Sequence, residues 1–264
     1  MKLRVITGTL AGGLFVAVMA VGSVPFTLLS AAIAVICYME LAALKKLPLL
    51  SPGVLMGAFC VAGIVLGTLL PSEDAFGLLF IKLLAALVLL FVGTTVFSKN
   101  RFHFEQAAYL LMSVFYIGFS YHLLVHVRLS SFSLAFFVLV IIWAADSGAY
   151  FIGRRWGRHK LAPKISPKKT KEGAVGALFT ALIAAVLFQF VLRDPIFPSW
   201  WLLLLVTLLI ATFGQLGDLG ESALKRYYGV KDSGNILPGH GGLLDRFDSL
   251  IFVLPILYLI GVIN

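Results

Sequence analysis

The chain has 264 residues, 60% of them hydrophobic and only 12% charged, and carries a net charge of +9. Its mean hydropathy is +1.01. So much apolar surface cannot be hidden in a single water-soluble core, which excludes an ordinary globular protein and leaves an integral membrane protein with several spanning segments.

Crossing ~30 Å of hydrocarbon takes about 20 mostly apolar residues. Runs of about that length cover residues 5–21, 24–44, 54–70, 76–97, 107–124, 132–152, 174–192, 201–217 and 249–263. Inside lipid each backbone amide must be satisfied within its own segment, and the two-residue alternation of a barrel strand is missing. The expected fold is therefore all-α, a polytopic transmembrane protein of about nine helices. The first run is longer than the apolar core of a signal peptide and a second follows at once, so it is expected to stay as a span.

Lysine and arginine set the orientation, because cytoplasmic connections are enriched in them. Eighteen of the 21 basic residues fall at the N-terminus or in the second, fourth, sixth and eighth connections; Lys82, Arg128 and Arg193 are the others. The N-terminus is thus expected in the cytoplasm and the C-terminus outside. The positive charge faces the cytoplasm, where it meets anionic lipid or an anionic substrate; nucleic acid is not an expected partner. Cys37 and Cys60 fall in apolar runs and read as small packing residues.

The two halves differ in kind. Residues 1–130 read as N-terminal transmembrane helices joined by short connections with Pro48, Pro52 and Pro71 at turns. Glu40, near the cytoplasmic end of the second run, reads either as a functional carboxylate or as an interfacial cap, the cap being favoured. Residues 131–264 read as the catalytic region, with two charged cytoplasmic connections at 153–173 and 219–248.

Three constellations carry the chemistry. The first is WAADSGAYFIGRRWGRHKLAPKISPKKTKEG. Asp146 sits in the end of the sixth run, where an unpaired carboxylate costs ~2.5 kcal/mol or more and so needs a partner. Eight basic residues follow, and glycines and prolines shape a turn ending in SPKKTKEG directly before a helix. Ser166, Thr170 and the helix-start amides, with Lys168 and Lys169, are donors for a phosphate. A topology signal with lipid headgroup contacts is the alternative.

The second is GQLGDLGESALKRYYGVKDSGN. If the eighth helix continues to Gly229, then Asp218, Glu221, Ser222 and Lys225 share one face, acidic toward the membrane and basic beyond it. That order suits a cation followed by phosphate. A solvated extension with internal salt bridges is the alternative.

The third is LPGHGGLLDRFDSLIFVLPILYLIGVIN. Gly239, Gly241 and Gly242 allow close backbone approach. Asp245 and Asp248 project from one side of the first helical turn, where they complement the helix dipole, but Arg246 does not. His240 gains weight only from its neighbours. Oxygen donors at Asp218, Asp245 and Asp248, with Asp146 in support and no Cys/His cluster, favour a hard cation such as Mg²⁺.

These residues resemble the signature of the phosphatidate cytidylyltransferase family: a Ser, two residues on a Lys-Arg, four residues on a Lys-Asp, then Pro-Gly-His-Gly-Gly, and after two residues Asp-Arg with an Asp one residue further. Ser222, Lys225, Arg226, Lys231, Asp232, Pro238, Gly239, His240, Gly241, Gly242, Asp245, Arg246 and Asp248 fill it without a departure. The resemblance implies transfer of a cytidylyl group from CTP to phosphatidic acid in the bilayer, giving CDP-diacylglycerol and pyrophosphate with a divalent cation. It implies an integral protein of the bacterial cytoplasmic membrane with its site at the cytoplasmic face.

On that footing Asp218, Lys225, Asp245, Arg246 and Asp248 are the expected catalytic residues, with Asp218, Asp245 and Asp248 as metal ligands. Asp146, Ser166, Lys168, Lys169, Thr170, Ser222, Arg226, Lys231, His240, Gly241 and Gly242 are expected to bind substrate. Mg²⁺ is the expected cofactor, with a second cation and a homodimer left open. A CTP-dependent polyprenol kinase would share these demands but transfer the γ-phosphate. A transporter would place its ionisable residues near the bilayer midplane in paired repeats, which are not seen.

Overall fold

The computed structural model of the protein describes residues 2–192, 195–236 and 241–263. Nine α-helices follow in chain order: α1 (Lys2–Val21), α2 (Ser23–Leu44), α3 (Pro52–Leu66, extended by a 3₁₀ turn Gly67–Leu69), α4 (Glu73–Phe97), α5 (Phe104–Ser130), α6 (Phe132–Trp156), α7 (Lys171–Val191), α8 (Trp200–Tyr227) and α9 (Leu244–Leu259). Each overlaps one predicted run. The helix starts follow capping chemistry: Ser72, Ser131, Thr170 and Ser199 each accept the amide three residues on, with distances of 3.1 to 3.2 Å.

Among the described residues, seven helices are long and apolar enough to cross a membrane: α2, α3 with its 3₁₀ turn, and α4 to α8. The all-α, many-helix expectation is met, but nine spans is more than the seven found. The apolar part of α1 is the shorter Gly8–Val21. Helix α9 has 16 residues, about 24 Å at 1.5 Å per residue, and its first turn is spent on charged side chains. It ends at Leu259, four residues before the predicted limit, where Gly261 turns the chain at φ 71. The all-α expectation also misses one small element. Strands β1 (Lys160–Ala162) and β2 (Ser166–Thr170) form an antiparallel hairpin between α6 and α7.

The chain falls into two compact units, one made of 1–129 with 232–246 and the other of 130–231 with 247–264. In the first, α2 is the buried element: Phe26, Ala34, Cys37, Tyr38 and Ala42 are fully enclosed. Gly57 of α3 is bare where the Tyr38 ring passes, so the two helices approach closely. The end of α2 is pinned to α5, since Tyr109 Oη donates to Leu41 O at 2.7 Å and Lys45 pairs with Glu105 at 2.6 Å. Cys37 and Cys60 are buried and not joined in a disulfide, as packing residues should be, and Cys37 Sγ lies 3.5 Å from Tyr121 Oη. Helix α4 shows its apolar side chains outward, Ile81, Leu89 and Val96 among them, as a lipid-facing helix must.

In the second unit α6 and α7 pack through small residues. Gly148 leaves room for Thr180, whose hydroxyl donates across to Ala144 O at 3.0 Å. Ala177, Ala181 and Ala185 of α7 are fully buried. Helix α8 runs ten residues beyond its predicted span, and Gly229, at φ 70, lies just past its end, where a left-handed residue closes helices.

Candidate active site

In the second unit, the loop after α6 is laced to the head of α7. A Cβ on Gly173 would stand 2.8 Å from Ala149 O and 3.1 Å from Gly153 Cα, so the two helices meet at backbone distance. Thr170 is buried and its Oγ1 accepts the Gly173 amide at 3.1 Å. Glu172 accepts the amides of Arg158 at 3.0 Å and His159 at 3.2 Å, and its Oε1 lies 2.6 Å from His159 Nδ1. The hairpin is thereby held at fixed height, with Lys168 exposed and Lys169 half-buried on β2.

Helix α8 presents its charged face to this hairpin and to α9. Lys169 Nζ is 2.5 Å from Asp218 Oδ2, and Ser222 Oγ donates to Asp218 Oδ1 at 3.3 Å. One turn on, the buried pair Glu221 and Lys225 is joined at 3.0 Å. Gly217 makes the approach of α9 possible: a Cβ there would lie 2.7 Å from Phe252 Cβ and 2.8 Å from Asp248 O. Asp248 consequently reaches the α8 face, in electrostatic contact with Asp218, Glu221 and Lys225. Carboxylates crowded this way need a proton, a base or a cation among them. Arg226 points elsewhere, its Nε donating to Ile165 O at 3.2 Å and its Nη1 to Val230 O at 2.9 Å.

In the first unit, the segment after Asp232 folds around a carboxylate pair. Asp245 Oδ2 accepts the amides of Ser233 at 2.9 Å and Gly242 at 2.8 Å. Glu40, buried on α2, accepts the amides of Leu243 and Leu244, both at 2.9 Å, and the Ser233 hydroxyl at 2.8 Å. Gly241 is left-handed at φ 83, and a Cβ there would lie 2.7 Å from Asp245 Oδ2. Gly242 is bare because Ser233 Oγ and both Glu40 oxygens crowd it. Four backbone N–H groups thus face two carboxylates, a concave array of donors around negative charge.

The second unit therefore brings together Asp218, Ser222, Lys225, Asp248 and Lys169 of the sequence-derived set. Asp245, Gly241 and Gly242 are brought together in the first. Thr170 closes the head of α7 with the oxygen that the sequence offers to a phosphate, and Arg226 ties the hairpin to α8. Ser166 starts β2; Lys231, Arg246 and Asp146 stand exposed. Asp146 lies ten residues before the end of α6, which runs on to Trp156, about 15 Å inside. His240, Gly239, Pro238 and Arg193 lie outside the described residues. Two partners were not assigned a role from sequence. Glu221 was signalled by its spacing to Lys225, whereas Ser233 had no local signal.

Among the described residues, no three His, Cys, Asp or Glu side chains are disposed to hold a metal ion by themselves. The donor set fits a hard cation that takes one or two carboxylates and completes its shell with water and phosphate oxygens, the usual habit of Mg²⁺.

Apolar helices with carboxylates, lysines and glycine turns concentrated at their ends define a membrane-embedded helical protein built to handle charge at its surface. The sequence model of the cytidylyltransferase family matches residues 2–263, and the chain belongs to that family. It is 45% identical over 261 residues to the phosphatidate cytidylyltransferase of Bacillus subtilis, covering 98% of this chain and 96% of that one. It is 42% identical to the phosphatidate cytidylyltransferase of Staphylococcus saprophyticus and 39% identical to that of Staphylococcus aureus, in each case over 97% of both chains. The resemblance drawn from thirteen residues of the C-terminal half thus extends over nearly the whole chain.

Proposed function

We propose that this protein transfers the cytidylyl group of CTP to phosphatidate, forming CDP-diacylglycerol and releasing pyrophosphate. The observation that carries this is the meeting of Asp218 on α8 and Asp248 on α9, with Lys169 on the first carboxylate and Lys225 beside the second. Full-length similarity to enzymes named for this reaction supports the substrate.

The step is a displacement at phosphorus. A phosphate oxygen of the lipid forms a bond to the α-phosphorus of CTP, and the bond from that phosphorus to the bridging oxygen breaks, with the electron pair leaving on pyrophosphate. The second pKa of a phosphomonoester is near ~6, so the nucleophile is already ionised at neutral pH. The chain therefore needs no strong general base, and its work is positioning and charge neutralisation.

In this reading Asp218 and Asp248 would hold Mg²⁺, with water and phosphate oxygens completing its shell, and Asp245 is a further candidate ligand drawn from the sequence. When bound, the ion neutralises the charge of the phosphates. Lys169, Lys168, Lys225, Lys231 and Arg246 hold phosphate oxygens, with Ser222 and Ser166 as neutral donors. Asp146, His240 and the glycine turn complete the substrate contacts. The lysine and arginine distribution supports a cytoplasmic N-terminus and a site at the cytoplasmic face, where a soluble nucleotide meets a lipid headgroup.

The test is radiolabelled CTP with purified protein and phosphatidate in mixed micelles. Label from the α-phosphate enters the lipid product in this reading. Label entering from the γ-phosphate alone would replace it with a kinase.

A further inference from the structure

The reaction as assigned leaves Glu40 without a task, yet it is one of the few buried charged side chains among the described residues. We propose that Glu40 is a positioning residue of the active site. It moors the glycine turn and the head of α9, and through them sets the carboxylate of Asp245.

The geometry is specific. Both Glu40 oxygens are occupied from one segment: Oε1 by the amide of Leu243, Oε2 by that of Leu244 and by the Ser233 hydroxyl. A carboxylate that accepts two successive amides at a helix start does the work of an N-cap. Here the cap comes from a helix some two hundred residues earlier in the chain, so the first turn of α9, Leu244–Arg246, is tied to α2 as well as to its own flank. The Ser233 hydroxyl also lies 3.1 Å from Asp245 Oδ2, and the Ser233 and Gly242 amides donate to that same oxygen. Glu40 and Asp245 thus share one donor cluster, and an arrangement that moves the first moves the second.

The platform is firm. Leu41, the next residue along α2, receives the Tyr109 hydroxyl, and Lys45, one turn further, is paired to Glu105. The segment has been emptied to fit: a Cβ on Gly234 would stand 2.5 Å from Glu40 Oε1, and Gly242 is crowded by both Glu40 oxygens. Supporting residues of this kind fix the orientation of a ligand without touching the reactants.

The proposal rests on the reading of Asp245 as a residue of the transferase site, so its test has two arms. Glu40→Gln keeps size and loses one acceptor, turning an NH₂ toward a backbone N–H. In detergent-purified protein, amide exchange of peptides covering 241–246 should rise by at least roughly 10-fold in this variant. Per folded, monodisperse molecule, kcat should fall roughly 10-fold or more and the half-saturating Mg²⁺ concentration should rise, with KM for phosphatidate within about twofold. Glu40→Asp should recover part of both. If Glu40→Gln does not fold, Ser233→Ala reads the same linkage, with several-fold effects in the same direction.

Unchanged exchange at 241–246 overturns the proposal whatever the activity. Faster exchange with unchanged kinetics per folded molecule reduces Glu40 to a structural role and also overturns it. Wild-type protein that moves no α-label sinks the functional reading instead, an outcome the exchange arm keeps separate.

Discussion

Lys169 Nζ sits 2.5 Å from Asp218 Oδ2, joining the polar hairpin between α6 and α7 to the membrane helix α8. Neither side chain is enclosed, so the pair is worth little as a stabilising contact. In the proposed reaction its value is electrostatic placement: the ammonium would keep a place beside the carboxylate for phosphate charge. Replacing Lys169 by Ala should raise KM for CTP by roughly 10-fold, the loss of one charge-assisted contact. The half-saturating Mg²⁺ concentration should not rise, because Asp218 loses a competitor and not a helper. Initial rates over a grid of CTP and Mg²⁺ concentrations check both, and a raised Mg²⁺ requirement with unchanged KM for CTP would contradict this role.

Asp245→Asn separates charge from architecture. The amide side chain can still present an oxygen to the Ser233 and Gly242 amides, so the glycine turn should persist and the melting midpoint should stay near that of wild type. Cytidylyl transfer should fall by at least roughly 100-fold if the lost negative charge served the cation. Activity within a few-fold of wild type would leave Asp245 a purely structural anchor. Arg246→Lys should also be damaging, since a point charge does not copy a planar fork of donors.

Much of this fold was legible in advance because seven of the nine described helices are long apolar runs. The capped extension of α8 was legible too, since Asp218, Glu221, Ser222 and Lys225 keep helical spacing up to Gly229. The hairpin was not, because Ser166–Thr170 is a short polar strand containing Pro167, with no apolar alternation to mark it. The task of Glu40 was legible only by half. A cap was the favoured reading, but its partners lie 203 and 204 residues away, and no local spacing reports a contact that long. The glycines of the turn were read as room for a ligand. Gly242 is bare for the Glu40 and Ser233 side chains, a demand set by tertiary packing.

Gly217→Ala tests the contact of α8 with α9. The added methyl would stand 2.7 Å from Phe252 Cβ and 2.8 Å from Asp248 O, and one of these is backbone that cannot swing aside. The helices must separate, at a cost of about 1–3 kcal/mol for overpacking. Asp248 moves with its carbonyl, so transfer activity should drop together with the melting midpoint. The control is Gly220→Ala on the same helix, which meets nothing within 4 Å and should be neutral or slightly stabilising. Equal behaviour of the two variants in a thermal-shift series would show that close approach at Gly217 is not what sets Asp248.

Arg226 provides the last discrimination, between a residue that holds substrate and one that holds the hairpin. Its two donors go to Ile165 O and Val230 O, one at the hairpin and one just past the end of α8. A lysine keeps the charge but reaches only one carbonyl at a time. If the bridge is the main duty, Arg226→Lys should loosen the hairpin carrying Lys168 and Lys169. KM for CTP then rises several-fold while kcat stays within about twofold, the signature of lost ground-state positioning. Limited proteolysis after the basic residues of 158–171 should quicken in step. If Arg226 instead bears on the departing pyrophosphate, kcat falls and proteolysis stays at the wild-type rate. The two measurements on one variant therefore assign the guanidinium to the frame or to the reaction.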